Sequence, residues 1–481
     1  MDGGCGGVAL GHAVEAIGGQ VVAELLLNVG ERIPSRGGPS EPVRAHDMGW
    51  AGTTGTVDLA VCRLDYSGSE SPMLPGRRGI ICPPMNRDHA KRALDFLAEM
   101  IRFKSYSGTP REGELARFVV ERMQRLGLEA FTQEVEPGRL NAIGIWRGTG
   151  GGKSLLFNGH LDTNPVTEGW TVDPWGGVYD DQFVYGIGVS NMKAGDAASF
   201  CAVERLIERG ARPRGDVVLT YVVGELQGGI GTIKAIDSGI RADYFINGEP
   251  TDLAGLTLHA GAFNWMIELT GITRHVSKRE EAVDAIAAAT RLIPRINALA
   301  FSAAATPDHA SVNRAHVGVV HGALSRELHE WRPPQVADFA RLVGTARYAP
   351  SQSEASVLAD LRRLLDEIEH ETPGLRGIVA RSALGNRPVM LPFEVPRDAR
   401  IVDVVRRAYR TVRGAEQPLG PVPPYCFYGT DAAHLLHRAH MEGIVCGPGG
   451  RYNTMPDERV DVADYLDMIE IYMLAVQEIC R

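Results

Sequence analysis

The stretch 155–163, LLFNGHLDT, decides how the rest of the chain is interpreted. Its first four residues form a short apolar run that predicts a buried β-strand. His160 and Asp162 follow directly in an H-x-D arrangement. At this spacing a carboxylate can orient an imidazole, as carboxylates commonly do behind a metal-bound histidine. H-x-D also arises often by chance, so the segment needs support from elsewhere in the chain.

Two further carboxylates follow predicted strands in the same way. Glu225 comes after the β-branched run 217–223, and Glu249 comes after 244–246. Helical periodicity fills the segments between these strands, with apolar residues on one face of 196–209, for example. Alternating strands and helices predict an α/β domain with a mainly parallel sheet. Ligand sites in such sheets gather at the carboxyl ends of the strands, which is where these polar residues fall.

Changes in pattern divide the chain into four segments. Residues 1–87 contain a possible helix and a Gly/Pro/Ser-rich stretch, which predicts an extension that is poorly ordered or partly helical. Residues 88–262 carry the first part of the α/β pattern. Residues 263–385 read as an inserted α+β domain, and the α/β pattern resumes over 386–481. The predicted fold class is therefore an α/β catalytic domain with a mainly parallel mixed sheet, interrupted by an α+β insertion.

Composition limits the class of protein. The 481 residues hold 50 Lys and Arg against 59 Asp and Glu, a net charge of −9, which argues against a nucleic-acid partner. The longest apolar runs are too short for a membrane-spanning helix. The seven cysteines show no C-x-x-C pattern, as expected in a reducing compartment. We therefore expect a cytoplasmic protein with a small-molecule substrate, without nucleic-acid or membrane partners.

Several more motifs follow the first in a fixed order. They are 173–175 (DPW), 185–195 (YGIGVSNMKAG), 224–232 (GELQGGIGT), 248–251 (GEPT), 429–431 (GTD) and 447–449 (GPG). In order and spacing, the series over residues 88–481 resembles the M20 family of metal-dependent aminoacylases, deacetylases and carboxypeptidases, which includes succinyl-diaminopimelate desuccinylase. The resemblance implies a zinc-peptidase-like catalytic domain with an inserted lid and dimerisation domain. It is less specific for activity than for fold.

The resemblance also implies roles for individual residues. In the family two zinc ions share a bridging carboxylate and activate a water, and a Glu moves the proton. His160 matches the histidine ligand of one metal, and Asp162 matches its orienting carboxylate. Glu225 matches the general base. Glu249 matches the carboxylate that completes the site of His160.

Three positions depart from the family pattern. Asn191 stands where the bridging Asp is expected, Leu226 replaces a Glu ligand, and Asn453 or Thr454 occupies the place of the last His ligand. Zinc favours several N, S or carboxylate ligands. We therefore expect no cofactor, or one weakly held divalent metal (zinc, cobalt or manganese) at His160, Glu249 and Asn191. The usual two-zinc centre is not expected.

The inserted segment contributes two candidates. His275 in 271–277 (GITRHVS) resembles a family histidine that reaches across a dimer to the oxyanion, which implies a homodimer formed through the lid. Arg347 in 344–350 (GTARYAP) resembles an arginine near the substrate carboxylate, and we expect Asn191 and Asn453 to contact substrate beside it. The alternative for both His275 and Arg347 is an ordinary surface side chain.

Three hypotheses about function remain open. The first is an amidohydrolase that acts on an N-acyl amino acid or small peptide-like amide, with Glu225 as proton carrier supported by Asp162 and His275. The second is a metal-free acyl-transfer or tailoring enzyme of specialised metabolism. The third is a non-catalytic binding protein or dimer partner, in which Glu225 only hydrogen-bonds Asn191 or backbone.

Overall fold

The computed structural model of the protein describes residues 85–382 and 389–481. The extension predicted over 1–87 lies outside this range except for its last three residues. The junction predicted at 385/386 falls within the undescribed residues 383–388. The bounds of the four segments stay predictions.

The described residues form a mixed α/β structure. The helices are α1 (Arg87–Ile101), α2 (Glu112–Arg125), α3 (Ala194–Glu208), α4 (Ile230–Asp237), α5 (Ala285–Asn297), α6 (Pro307–Ser311), α7 (Glu354–Glu371), α8 (Arg400–Arg413), α9 (Ala432–Ala439) and α10 (Val462–Ile479). The strands are β1 (Glu129–Glu136), β2 (Arg139–Trp146), β3 (Leu155–His160), β4 (Val178–Tyr179), β5 (Phe183–Tyr185), β6 (Val217–Val222), β7 (Tyr244–Asn247), β8 (Gly255–Leu256), β9 (Leu258–His259), β10 (Gly261–Thr270), β11 (Arg314–Ala323), β12 (Phe339–Tyr348), β13 (Arg376–Arg381), β14 (Phe393–Glu394), β15 (Leu419–Gly420), β16 (Glu442–Val445) and β17 (Arg459–Asp461).

The larger sheet has eight strands in the order β1-β2-β6-β3-β7-β16-β8-β15. Its centre, β6-β3-β7-β16, is parallel, as is β8-β15, whereas β1-β2, β2-β6 and β16-β8 are antiparallel. Every residue of β3 and β6 is buried. Strands covered on both faces read as continuous apolar runs rather than alternating ones, which is why both were recognisable in the sequence.

The inserted part of the chain builds a separate antiparallel sheet. Its order is β11-β12-β10-β13, and α5 and α7 pack against it around a second hydrophobic cluster. Trp265 at its centre is fully buried. The predicted fold class, a mainly parallel mixed sheet interrupted by an α+β insertion, is confirmed. We call the four-stranded sheet with α5 and α7 the lid.

Two parts of the fold differ from the sequence-based expectation. The antiparallel hairpin β1–β2 was not predicted, because β1 is mostly polar and none of its residues is fully buried. Strand β12 was also not predicted, although it pairs with both β10 and β11. Among the described residues, no helix combines the length and the apolar character needed to cross a bilayer.

A buried carboxylate holds the loop that leads into α3. Glu458 accepts hydrogen bonds from the backbone N–H groups of Gly188 (3.2 Å), Ser190 (2.8 Å) and Asn191 (3.1 Å). Burial raises the pKa of Glu458 to about 7, although these three donors oppose the change. The ladder β17–β5 brings Glu458 beside this loop. Asn191 is thereby fixed from a segment more than 200 residues away.

We predict that Glu458→Ala lowers the free energy of unfolding by about 2–4 kcal/mol, because it leaves three buried N–H donors without an acceptor. Chemical denaturation of the full chain measures this. Glu121→Ala is the matched control, since Glu121 lies on an exposed helix face in an i,i+4 pair with Arg125. It should change stability by no more than about 0.5 kcal/mol. Equal losses in the two variants would contradict the role of Glu458.

Candidate metal centre and active-site cavity

Four polar residues meet at the carboxyl edge of the parallel strands. His160 is the last residue of β3, Glu225 opens the short turn after β6, and Glu249 lies two residues beyond β7. Because β6, β3 and β7 are neighbours and parallel, their ends lie side by side. Asn191 joins them from the loop before α3. The predicted convergence of these residues is therefore present in the structure.

His160 is fully buried, and both of its ring nitrogens have partners. Nδ1 lies 2.8 Å from the main-chain oxygen of Asp162. A carbonyl oxygen only accepts, so Nδ1 carries a proton and Nε2 is directed at the cluster. Nε2 lies 3.0 Å from Asn191 Oδ1, 3.6 Å from Glu249 Oε1 and 3.9 Å from Glu225 Oε2.

The sequence suggested that the Asp162 carboxylate orients the His160 ring, but the carboxylate contacts other groups. Its Oδ1 is 3.5 Å from His160 Nδ1, whereas the main-chain oxygen makes the closer contact. The carboxylate accepts instead from the backbone N–H groups of Glu225 (3.2 Å) and Leu226 (3.3 Å) and from the Ser107 hydroxyl (2.7 Å). Asp162 thus orients His160 through its backbone and positions the turn that carries Glu225 through its side chain.

Burial and mutual repulsion disturb the ionisation of the cluster. Burial raises the pKa of Glu225 well above its usual range, and the Glu249 carboxylate raises it further. Burial also raises the pKa of Glu249 to about 7, against the opposing effect of His160. Burial alone would lower the pKa of His160, but Glu249 and Asp162 offset this, and the net shift is upward. Negative charge is crowded here without enough positive charge to balance it.

This donor set fits a divalent cation. One ligand atom from each of His160, Glu225 and Glu249 can be chosen so that all three lie within 4.8 Å of one another, and all three residues are buried. Nitrogen and carboxylate oxygen are ligands that zinc takes. In addition, Asn453 Oδ1 is buried at the cavity wall and accepts no hydrogen bond from the residues that the structure describes. Such an orphaned acceptor is consistent with a ligand at this place.

A cavity of about 1130 Å³ opens beside the cluster, between the large sheet and the lid. Asn191, Glu225 and Glu249 line one side of it, and Asn453 and Thr454 line it as well. The lid contributes residues of β10, β12 and β13 to the opposite wall. A cavity with a few convergent polar groups is the usual form of a small-molecule site.

Arg347 extends from β12 into this cavity. It makes no hydrogen bond or ion pair with any residue that the structure describes. Burial lowers its pKa, and the Glu225 carboxylate acts in the opposite direction. A partly buried guanidinium without a partner among the described residues is available to a ligand anion, and the binding of a substrate carboxylate by Arg347 stays a prediction.

Two further positions, 275 and 226, place no polar group in the cavity of a single chain. His275 is exposed, lies at the start of a turn on the lid beside Ser277, and does not line the cavity. Leu226 lines the cavity with an apolar side chain that is 37% exposed, so it supplies no ligand atom.

The sequence alone assigned no role to the motif 429–431. Asp431 is buried, its Oδ2 accepts from the Thr232 hydroxyl at 2.7 Å, and its charge raises the pKa values of Glu225 and Glu249. Tyr428 lines the cavity, and its hydroxyl donates to the Pro250 carbonyl. The motif was the sequence signal for Asp431 and did not say what it contacts, whereas Tyr428 precedes the motif and had no signal.

Solved structures share this architecture. Aminopeptidase PepT from Bacillus cereus matches with a TM-score of 0.64 at 18% identity, covering 82% of this chain and 99% of that one. The YXEP protein of Bacillus subtilis, described as a dinuclear metal binding peptidase from the M20 family, matches with a TM-score of 0.57 at 17% identity, covering 82% and 99%. At these identities the likeness establishes the fold.

The prediction of no cofactor, or of one weakly held metal without the two-zinc centre, is wrong. The M20 neighbour from Bacillus subtilis is described as dinuclear, and this chain has a buried cluster of residues that could hold a metal ion. The prediction failed because it assigned Glu225 only a proton-transfer role. In the structure the Glu225 carboxylate stands with His160 and Glu249 as a third group able to hold an ion.

Two relatives in sequence cover most of this chain. A succinyl-diaminopimelate desuccinylase from Methylorubrum extorquens is 27% identical over 401 residues, 80% of this chain and 97% of that protein. The N-formyl-4-amino-5-aminomethyl-2-methylpyrimidine deformylase of Bacillus subtilis is 25% identical over 324 residues, 63% of this chain and 72% of that one. The sequence profile of peptidase family M20/M25/M40 matches residues 156–478. With this match spanning more than half of its length, the chain belongs to peptidase family M20/M25/M40.

Proposed function

We propose that this protein is a metal-dependent amidohydrolase that removes an acyl group from an N-acyl amino acid or a small peptide-like amide. The observation that carries the proposal is the buried group His160, Glu225 and Glu249 at the wall of a large cavity. Arg347 lines the same cavity, has no hydrogen-bond or ion-pair partner within 85–382 and 389–481, and suits a substrate carboxylate. The names of the two sequence relatives, a desuccinylase and a deformylase, describe removal of an acyl group.

His160, Glu225 and Glu249 are the residues that would hold the cation. A divalent cation in such a place polarises a carbonyl and lowers the pKa of a bound water. The chain prepares the site by burying the imidazole, by fixing its Nδ1 proton on the Asp162 carbonyl, and by holding Asn191 beside Nε2. These contacts keep Nε2 directed at the cluster before any ligand arrives.

Glu225 is also the residue that we propose moves the proton. Its carboxylate borders the cavity, and burial raises its pKa well above the usual range, which makes it a stronger base than an ordinary carboxylate. Asp162 supports it by binding the backbone of its turn. Arg347 would bind the substrate carboxylate, while Asn191 and Asn453 offer amide groups to the rest of the substrate.

We predict that the purified protein retains divalent metal and hydrolyses N-acyl amino acids in a chelator-sensitive way. Elemental analysis for zinc, cobalt and manganese, with assays before and after chelation, measures both. His160→Ala should lower metal affinity by at least roughly 100-fold, since altering groups behind a ligand already costs 10–100-fold. His370→Ala on the exposed face of α7 is the control and should change neither metal affinity nor the rate of hydrolysis. Hydrolysis that survives complete metal removal would contradict the proposal.

Glu225→Gln separates proton transfer from metal binding. We expect kcat to fall by about 10²–10⁴-fold, the usual contribution of a general base, with KM little changed. Glu114→Gln, at an exposed position of α2, is the matched control. Metal content should be measured in the same preparations. Because Glu225 is also a proposed ligand, kcat is compared at saturating zinc, and a variant that regains the wild-type kcat there would restrict Glu225 to ligand binding and contradict the proton role.

We further propose that the protein forms a homodimer through the lid, and that His275 of one copy donates to developing negative charge in the cavity of the other. In support, β11 is an edge strand of the lid whose Val319 and Val320 are 42% and 51% exposed. Unpaired, apolar edge strands are templates for pairing with another chain. His275 is also exposed on the lid, as a residue acting on a second copy must be.

We predict that Val320→Asp shifts the protein from dimer to monomer, because it places a charge at the centre of this edge. Sedimentation velocity measures the distribution. Val178→Asp is the matched control, since Val178 is 55% exposed on β4, outside the lid. A dimer that withstands the change at Val320, or a wild-type protein that is monomeric, would contradict this interface.

A further inference from the structure

A second, smaller cavity adjoins the first one. It measures about 260 Å³ and is lined by Arg314, His316, Thr345, Arg347, Phe427 and Tyr428. Thr345, Arg347 and Tyr428 line both cavities, so they form the boundary between them. We call the smaller space the side compartment. A ligand bound against Arg347 can therefore reach both spaces.

The side compartment has an unusual pairing of charges in its wall. Arg314 on β11 lies directly opposite Arg347 on β12. Like charges at opposite positions of a sheet destabilise it. Neither guanidinium forms an ion pair or a hydrogen bond with any residue in the described part of the chain. An anion between them would convert this unfavourable pair into a favourable site.

Neighbouring side chains fix this arrangement. The Arg314 guanidinium lies 3.6 Å from the centroid of the Phe427 ring. Stacking on the ring face leaves the edge of the guanidinium, with its N–H donors, free for another partner. His316 lies two residues along β11, opposite Thr345, and therefore points to the same face of the sheet as Arg314. Arg314 and His316 are both exposed, so the side compartment is accessible from solvent.

We propose that the side compartment binds a second carboxylate of the substrate, held by Arg314 and His316 while Arg347 binds the first. This inference rests on the proposed function and narrows it to amides that carry two carboxylates. A planar carboxylate matches the fork of a guanidinium. The size of the compartment suits a short acidic chain. The second carboxylate belongs either to the acyl group or to the side chain of the amino acid.

Binding of small acids tests the side compartment without any need for turnover. Glutarate and pentanoate have the same chain length and differ in one terminal carboxylate. Isothermal titration should show that wild type prefers glutarate and that Arg314→Met weakens glutarate binding by about 10–100-fold, the range for a lost charge-assisted interaction. Pentanoate binding should stay within about twofold, which also shows that the variant is folded.

Arg332→Met is the matched control. Arg332 stacks on Trp331 in the same lid, as Arg314 stacks on Phe427, but it does not line either cavity. It should leave glutarate binding unchanged. Equal affinity of wild type for the two acids, absence of glutarate binding at millimolar concentration, or an unchanged preference in both Arg314→Met and Arg314→Gln would overturn the inference.

Two pairs of amides then locate the second carboxylate. N-succinyl-L-alanine against N-butanoyl-L-alanine places it on the acyl side, and N-acetyl-L-glutamate against N-acetyl-L-norvaline places it on the amine side. Arg314→Met should lower kcat/KM for the doubly charged member of one pair only. Glutarate binding that depends on Arg314 without hydrolysis of any amide would refute the proposed function and leave the anion site intact. If Arg314→Met leaves kcat/KM unchanged for the doubly charged members of both pairs, this inference is refuted and the proposed function stands.

Discussion

The central feature of the structure is the group of buried carboxylates that crowd around the imidazole of His160. His160, Glu225 and Glu249 converge because β3, β6 and β7 are adjacent and parallel, so that their carboxyl ends meet at one edge. Burial there penalises every negative charge, and the pKa values of both glutamates rise accordingly. A fold gains nothing by burying such a group unless a cation or a proton balances it. Because the chain belongs to peptidase family M20/M25/M40, we interpret this cluster as the candidate active site.

The loops around this cluster are held by carboxylates that bind backbone rather than substrate. Asp162 accepts from the turn that carries Glu225, and Glu458 accepts from the loop that carries Asn191. Each fixes a residue at the cavity wall from a different part of the chain. The lid closes the other side of the cavity and contributes the positive charge of Arg347. Groups able to hold a metal ion and the guanidinium of Arg347 therefore line one cavity.

The sequence predicted the central strands and the position of His160, Glu225 and Glu249 because fully buried strands and their polar ends leave a local pattern. It did not predict β12, because the small residues Ala340, Gly344 and Ala346 occupy buried positions and weaken the alternating apolar pattern that marks a strand. The metal prediction failed because ligands were counted by family position, whereas the ability of Glu225 to join the cluster depends on spatial convergence. The opposition of Arg314 and Arg347 depends on strand register across a bulge between Val317 and Val319, which the sequence does not reveal.

The most direct test of this account is a crystal structure of the protein with zinc, in which anomalous scattering locates the ion. The account predicts an anomalous peak within coordination distance of His160 Nε2, with carboxylate oxygens of Glu225 and Glu249 around it and the ion open to the cavity. A cavity without such a peak at saturating zinc, or a Glu225 carboxylate turned away from His160, would contradict it.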